Sequence, residues 1–539
     1  MPGAVALPLS TALALALCVV QPIAAAEATT DSGVADAPAS EASPPEPAEG
    51  DPGTDLPAKS RAGSAAAESA AAPSTDKAPA RNAPTMSFAQ FVIPKRPTDG
   101  KEAPPALPRR LTHQYAYGTE SDIVYYRNPD LDGGVRDDTL LLKPQVHGYF
   151  TYRPTDWLEG TLEMVFDREI AAMEEQTVVL PNGETQLAQS KSFSLLVDQA
   201  FLTFKAPTDR FQFTVGRRSY SDDRAWLVDA SLDTVSVALK LGKFRGEAVF
   251  GREILVGLDL LKDQTALETR TTAAPSRAAD RINTYMVLGD YRGIEDMKLG
   301  AYVVFRDDRG GVEGRPLTMG VRALGTPTDE LSYWGEFAHQ RGTDETFRPL
   351  SAFAFDLGAT YRFTGLPLYP NVSLGYAFGS GDGNPDDGVN HEFRQTGLQS
   401  NEVKFAGIAK FKAYGEALDP ELSNLMVLTA SVGVRLARNI SLDLVYHRYW
   451  LNEYQTELRS SLVTALMNQV EGRLSKDVGS AFDVVLGFRN LFGLRRLGID
   501  LRTGFFFPGN AFLVNTGDEN NPSAGLPGTG FTVFTKFLW

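Results

Sequence analysis

Residues able to carry out covalent chemistry are few in this sequence and stand far apart. The histidines His113, His147, His339, His391 and His447 are scattered, and none forms the helical two-histidine pair of a zinc hydrolase. No Gly-x-Ser-x-Gly turn presents a nucleophile. The single cysteine, Cys18, lies in an N-terminal apolar run; with that run removed, no disulfide, thiol nucleophile or cysteine metal site remains. The stretch Gly379–Gly388 spaces Asp382, Asn384 and Asp386 like a calcium loop. Its glycine comes one position late, and Phe393 stands where the loop requires a bidentate Glu, so a solvated turn is the better reading. No catalytic residue, metal or cofactor is expected, and the chain does not read as an enzyme.

What the sequence does offer is charge at regular intervals. From about residue 110 to the end, apolar residues alternate with polar ones at a period of two. Phe353, Phe355, Leu357, Ala359, Tyr361 and Phe363 share one face, while Ala354, Asp356, Gly358, Thr360, Arg362 and Thr364 share the other. The same parity puts Lys143, Arg322, Arg435 and Arg502 on the polar face, together with Glu163, Glu336, Asp443 and Asp483. Such strands fit either a soluble sandwich with a wet outer face or a transmembrane barrel with a wet lumen.

Connection lengths decide between them. Strands are predicted near 111–127, 139–153, 157–168, 192–206, 210–218, 233–241, 244–252, 281–292 and 296–307. They continue near 315–324, 330–342, 352–364, 371–380, 424–437, 439–451, 478–490, 496–507 and 529–538, which makes 18 in all. Short connections such as Gly242-Lys243 and Arg438 alternate with long ones such as 253–280 and 381–423. Short periplasmic turns alternating with long external loops characterise outer-membrane barrels. The terminal strand Phe531, Val533, Thr535, Phe537, Trp539 ends on an aromatic, which suits the interfacial girdle. The predicted fold is therefore all-β: an antiparallel transmembrane barrel of about 18 strands in a Gram-negative outer membrane, surrounded by its lipids.

Composition agrees. The chain has 539 residues, is 43% hydrophobic and carries a net charge of −15, which argues against nucleic acid as a partner. No uninterrupted apolar window reaches the roughly 18 residues a membrane helix needs. Residues 1–26 read as a signal peptide, with an apolar core at Ala12–Val20 and a small-residue cleavage site at Ala24–Ala26. Residues 27–90 are rich in Ala, Pro, Ser and acids and poor in groups able to pack; they read as a disordered periplasmic extension, a linker or a tether to periplasmic export proteins.

Strand parity leaves the sign of the pore open, since basic and acidic side chains share the lumen. Longer blocks of sequence are more specific. They include GRRSYSDDRAWLVD at 216–229, FGRE at 250–253, SLGYAFGSGDG at 373–383, FRQTGLQSNEVKFAGIAKFKAYGEALDPELSNL at 393–425 and LVYHRYW at 444–450. Together, over residues 110–539, these resemble the alginate-export porin family of the bacterial outer membrane. The resemblance implies an 18-stranded barrel with a constricted, electropositive, anion-selective pore that exports an anionic uronate polysaccharide. It further implies pore or substrate-binding roles for Lys143, Arg217, Asp229, Glu253, Asp259, Arg394, Lys404, Lys410 and Arg502.

Two departures soften the anion preference. Glu402 stands where the family can place a base, and Lys143 stands where Arg would bind carboxylates bidentately. Parity also turns Arg217 outward and Arg218 inward, because Phe211, Phe213 and Val215 face lipid; a bulge at Gly216 would reverse this. The readings set against polysaccharide export are a general or other-anion porin of the same fold, an outer-membrane hydrolase and an adhesin barrel.

The composition of 27–90 generates the first prediction. A chain beginning near Met86, preceded by a signal peptide, should still insert and resist extraction by urea. Loss of outer-membrane insertion would give the extension a folding role.

Overall fold

The computed structural model describes residues 112–538, apart from stretches within 129–138, 169–192, 207–209, 253–281, 309–313, 464–473, 495–496 and 513–529. The signal peptide and the extension expected at 27–90 lie outside the described residues.

Among the described residues, eighteen long strands form one antiparallel sheet that closes on itself. They are β1 (Thr112–Arg127), β2 (Thr139–Arg153), β3 (Leu158–Arg168), β4 (Phe193–Lys205), β5 (Phe211–Ser221), β6 (Asp229–Leu241), β7 (Phe244–Arg252), β8 (Ile282–Tyr291) and β9 (Met297–Asp308). The second half holds β10 (Arg315–Gly325), β11 (Leu331–Thr343), β12 (Pro349–Arg362), β13 (Asn371–Gly379), β14 (Leu425–Ala437), β15 (Ile440–Leu451), β16 (Asp477–Arg489), β17 (Gly498–Pro508) and β18 (Gly530–Leu538). Each pairs with its sequence neighbours, and β1 pairs with β18 from Glu120↔Leu538 to Arg127↔Phe531. Closure removes the sheet edge that a bilayer could not satisfy.

The predicted strands and the observed ones agree to within a few residues. The largest difference is at β5 and β6, where the ladder continues through Arg217↔Asp233 to Ser221↔Asp229. Polar sequence there reads as loop, yet its side chains pair across the strands: the Tyr220 hydroxyl lies 3.1 Å from Thr234 Oγ1. Gly216 sits in this stretch with φ 122°. A Cβ at that position would collide with the Ala200 carbonyl oxygen, so only glycine lets the strand pass.

The period of two becomes a pair of faces. Outward residues such as Val287, Leu357 and Leu374 are exposed, as a lipid-facing band requires, while their neighbours Met286, Asp356 and Ser373 are buried inside. The short turns, such as Gly242-Lys243 and Arg438-Asn439, lie at the end where the terminal strand finishes; the long connections lie at the other.

The packed core is inside the barrel. Phe393, Phe411, Leu418 and Leu422, from the long segment between β13 and β14, are fully buried against wall residues including Val445, Tyr449, Val485 and Phe506. Burying such a side chain is worth about 1.5–3 kcal/mol over leaving it in water. In an open barrel end, the lumen is the place where this segment gains that energy. The barrel thus carries its own plug.

The outward face generates the second prediction. Leu357→Arg, in the middle of β12, should cost about 2–4 kcal/mol of folding into a bilayer, while Leu366→Arg in the periplasmic turn costs about 0–1. Urea titration in phospholipid vesicles measures both, and equal costs would contradict a lipid-facing β12.

Candidate functional site

The plug, residues 380–424, descends through the lumen, and its path is marked by contacts with the wall. Near the external rim, Asn390 accepts a backbone bond from Ser351 at 2.9 Å, and Arg394 pairs with Glu345 (2.8 Å) and Glu392 (3.6 Å). Below this, Ser400 Oγ donates to Asp229 at 2.5 Å, and Arg502 of β17 reaches Glu402 at 3.1 Å and Glu416 at 3.4 Å. At the bottom, Arg435 donates to the carbonyls of Ala406 and Gly407, and the Ile408 amide donates to Ser441 Oγ at 2.8 Å. Arg435 and Ser441 flank the short turn between β14 and β15, so the plug tip reaches the periplasmic mouth. The segment then climbs back, with the Glu416 amide bonded to Asp483 at 3.1 Å.

A second inward segment, Asp222–Val228, joins β5 to β6. Asp222 organises it: its carboxylate accepts the backbone N–H groups of Arg224, Trp226, Leu227 and Val228 and pairs with Arg322 at 3.3 Å. Burial opposes ionisation of Asp222, but Arg322 and these amides outweigh it and hold the carboxyl below its ordinary range. The segment crosses the lumen: Arg224 bonds Asp356 at 3.0 Å and lies 4.4 Å over the Trp334 ring. Asp356 also accepts from Trp334 Nε1 (2.7 Å) and from the Tyr414 hydroxyl (3.0 Å), which in turn accepts from Trp226 Nε1 (2.9 Å). Two loops and three strands therefore share one buried polar network.

Along the wall, charged residues fall in register. One row alternates in sign, Lys143↔Asp122↔Lys536↔Asp500 across β2, β1, β18 and β17. Opposite charges so placed stiffen a sheet and offset each other. Another runs Arg322↔Glu336↔Asp356 across β10, β11 and β12, where two adjacent acids are held by Arg322 of the wall and Arg224 of the loop.

The residues singled out from sequence are distributed as follows. Lys143 lies in the first row opposite Asp122. Asp229, Lys410 and Arg502 gather around Glu402: Lys410 contributes to the field at both Asp229 and Glu402, and its carbonyl lies 3.4 Å from Arg502. Lys404 stands at the plug tip, close enough to act on Asp443. Arg394 is on the rim. The β4–β5 and β5–β6 ladders pass Gly216 without a register shift; Arg217 pairs with Asp233 at 3.4 Å, and Arg218 reaches Glu247 at 2.9 Å. Glu253 and Asp259 lie outside the described residues. Among the described residues no group of three or more His, Cys, Asp or Glu gathers as a metal site, and Asp382 of the calcium-like turn is paired with Arg348 at 3.4 Å.

Sequence reasoning did not single out Arg224, Glu416 or the plug itself. The available signal was the apolar content of 393–425: Phe393, Leu398, Val403, Phe405, Ile408, Phe411 and Tyr414 recur every two to five residues, too densely for a solvated external loop.

Glu402 and Glu416 behave oppositely although both contact Arg502. Burial pushes Glu402 up, but Arg502, Lys412, Lys536 and Lys410 surround it and hold its carboxyl at about 2. Burial pushes Glu416 up as well; Arg502 only partly offsets this, the Asp483 carboxylate adds to it, and Glu416 stands at about 7.

Comparison with known proteins places this geometry in context. The profile of the family described as alginate export matches residues 109–525. The alginate production protein AlgE of Pseudomonas aeruginosa is 30% identical over 202 residues, 35% of this chain and 37% of that protein. The AlgE of Azotobacter vinelandii is 26% identical over 205 residues, 35% and 39% respectively. The chain thus spans a little over a third of the length of these curated relatives. The crystal structure of the outer membrane protein OpdK from Pseudomonas aeruginosa matches with a TM-score of 0.48 at 10% identity, over 79% of this chain and 98% of that one.

The third prediction concerns pH. Glu416 is raised when docked, so its contribution to docking is present at low pH and lost as pH rises through about 7. Glu402 is lowered, so its contribution is present above the ordinary carboxylate range and lost as pH falls toward about 2. Plug amides should therefore exchange slowly near about pH 5.5 and open several-fold more often near about pH 8.5, after correction for intrinsic exchange. Glu416→Gln should abolish the alkaline opening; a wild-type plug indifferent to pH over this range would contradict the assignment.

Proposed function

This chain belongs to the alginate-export family of the Gram-negative outer membrane, and we propose that it exports an anionic polysaccharide, alginate or a related polyuronate, through the lumen of its barrel. The observation that carries this reading is the way the lumen already handles carboxylates. Arg502, backed by Lys536, Lys410 and Lys412, holds the plug carboxylates Glu402 and Glu416 in a buried site between wall and plug. A uronate chain presents one carboxylate per sugar, the same ligand that this site binds from within.

On this reading Lys143, Arg217, Arg394, Lys404, Lys410 and Arg502 offer successive carboxylate contacts, and the acids Asp229, Glu253 and Asp259 keep any one contact weak. A single tight site would trap a polymer, whereas several shallow ones let it move. The plug must yield for the chain to pass, which makes Glu402 a competitor of the substrate. The anion selectivity of this reading rests on the family and on Arg502, Lys410, Lys412 and Lys536, which gather around one plug carboxylate. The function is transport rather than catalysis and requires no cofactor. The extension at 27–90 is available to periplasmic export proteins.

The fourth prediction tests selectivity and binding together. In planar bilayers under asymmetric salt, Lys143→Glu and Arg502→Glu should each shift the reversal potential toward cations. By calorimetry, an oligouronate should bind the wild type more weakly as salt rises, and Arg502→Glu should lose roughly tenfold in affinity, about 1.4 kcal/mol. Unchanged selectivity in both variants, with no oligouronate binding to the wild type, would leave these charges as braces of the wall.

A further inference from the structure

At the periplasmic mouth the plug tip is fastened by an arginine that has neutral acceptors. Arg435 donates from Nε (3.2 Å) and Nη2 (2.9 Å) to the Ala406 carbonyl and from Nη2 to that of Gly407 (3.4 Å). Elsewhere on the lumen wall Arg322, Arg489 and Arg502 each bind a carboxylate. Beside Arg435 stand three more polar groups with buried atoms that lack a hydrogen-bond partner. Arg362, the last residue of β12, has a buried Nε without a hydrogen-bond partner. Asp443 is 1% exposed, and neither of its carboxylate oxygens has a hydrogen-bond partner. Asn371 Oδ1 is likewise buried and unsatisfied.

These groups form one row. Arg362↔Asn371↔Gly433↔Asp443 run in register across β12 to β15. Gly433 supplies the gap into which Asp443 and Asn371 lean, and Gly407 on the plug lies directly against Asp443; a Cβ at either glycine would strike the Asp443 carboxylate. The exposed Lys404 completes the cluster from the plug side. The mouth therefore sets Arg435 and Lys404 on Asp443, with Arg362 beside Arg435, on the side from which a polymer made in the cell arrives.

We propose that Arg435, Arg362 and Lys404 form a receiving subsite for a single sugar carboxylate, and that its binding unlatches the plug tip by replacing the Ala406 and Gly407 carbonyls on Arg435. The replacement is favourable because a guanidinium–carboxylate pair is charge-assisted and bidentate, roughly twice as strong as a bond to a neutral acceptor. The carbonyls hold the Nε–Nη2 edge, so a carboxylate that binds that edge bidentately must displace them. A ligand that binds only the unlatched arrangement shifts the population toward it. Asp443 then repels the arriving carboxylate enough to keep it exchangeable. This inference rests on the anionic-substrate reading above and adds a location and a consequence to it.

The experiment is hydrogen exchange at the Ile408 amide, whose bond to Ser441 marks the docked tip, in detergent-solubilised full-length protein. A uronate tetrasaccharide should speed exchange there several-fold, and a neutral tetrasaccharide of the same length should not. Arg435→Gln keeps a donor for the carbonyls but cannot bind a carboxylate bidentately; its tip should stay docked and stop responding. Lys404→Gln, on the exposed plug side, should respond only at several-fold higher oligouronate, which covers the case in which the Arg435 variant does not fold. If calorimetry shows that oligouronate binds the wild type while Ile408 exchange stays unchanged, or if Arg435→Gln responds like the wild type, the latch is wrong and the export reading stands. Absence of any oligouronate binding to the wild type overturns both.

Discussion

Everything in this molecule follows from the requirement that no backbone amide or carbonyl be left without a partner in hydrocarbon. A sheet can meet it only by closing, and the pairing of β1 with β18 is where it does so. Closure then fixes the rest. Side chains alternate between lipid and lumen, so the outward set must be apolar and the inward set is free to be charged. A barrel of eighteen strands is also too wide for its own wall side chains to fill. The interior left over is what the plug occupies and what a transported polymer would use.

Inside that cavity the governing balance is between burying charge and pairing it. An isolated buried charge is costly, and removing one member of a buried pair leaves the other exposed to that cost. The lumen answers with cross-strand pairs of opposite sign, such as Lys143↔Asp122 and Arg322↔Glu336, and with partners sent in from loops. Asp222 and Arg224 come from the β5–β6 connection, and Glu402 and Glu416 come from the plug. Arg322 and Arg502 of the wall thus take partners from loop segments as well as from the sheet. This is the physical link between the architecture and a transport role.

The strands were legible because lipid imposes a period of two that propensity alone would not; β12 and β17 show it almost without interruption. The upper ends of β5 and β6 were not, because Ser219, Tyr220 and Ser221 look like turn residues and are held in the ladder by cross-strand pairing instead. The plug was hidden for a related reason. Its buried residues follow the irregular shape of the cavity rather than a helix or strand period, so the pattern that betrays an element is missing. Glu402 is the instructive single case. Taken alone it looked like an acid out of place in an anion pore; in space it is the counter-ion of Arg502. Charge read along the chain gives no information on which opposite charge, a hundred residues away, will meet it.

The plug's dependence on a finished barrel has a consequence for biogenesis. Phe393 stacks on Trp226 and Phe411 packs on Phe405, but the burial of the plug is complete only with wall residues of β14, β15, β16 and β17, and the ladder that seals the cylinder joins residues near 120 to residues near 538. Contacts of such sequence separation form late. While the chain crosses the periplasm, the apolar residues of this central segment are uncovered and are surface that holdase chaperones can shield, since transiently exposed apolar surface drives aggregation. Its disappearance into the lumen then reports that sealing is complete. Quality control could read the maturity of the whole protein from one segment, without inspecting the lipid-facing strands at all.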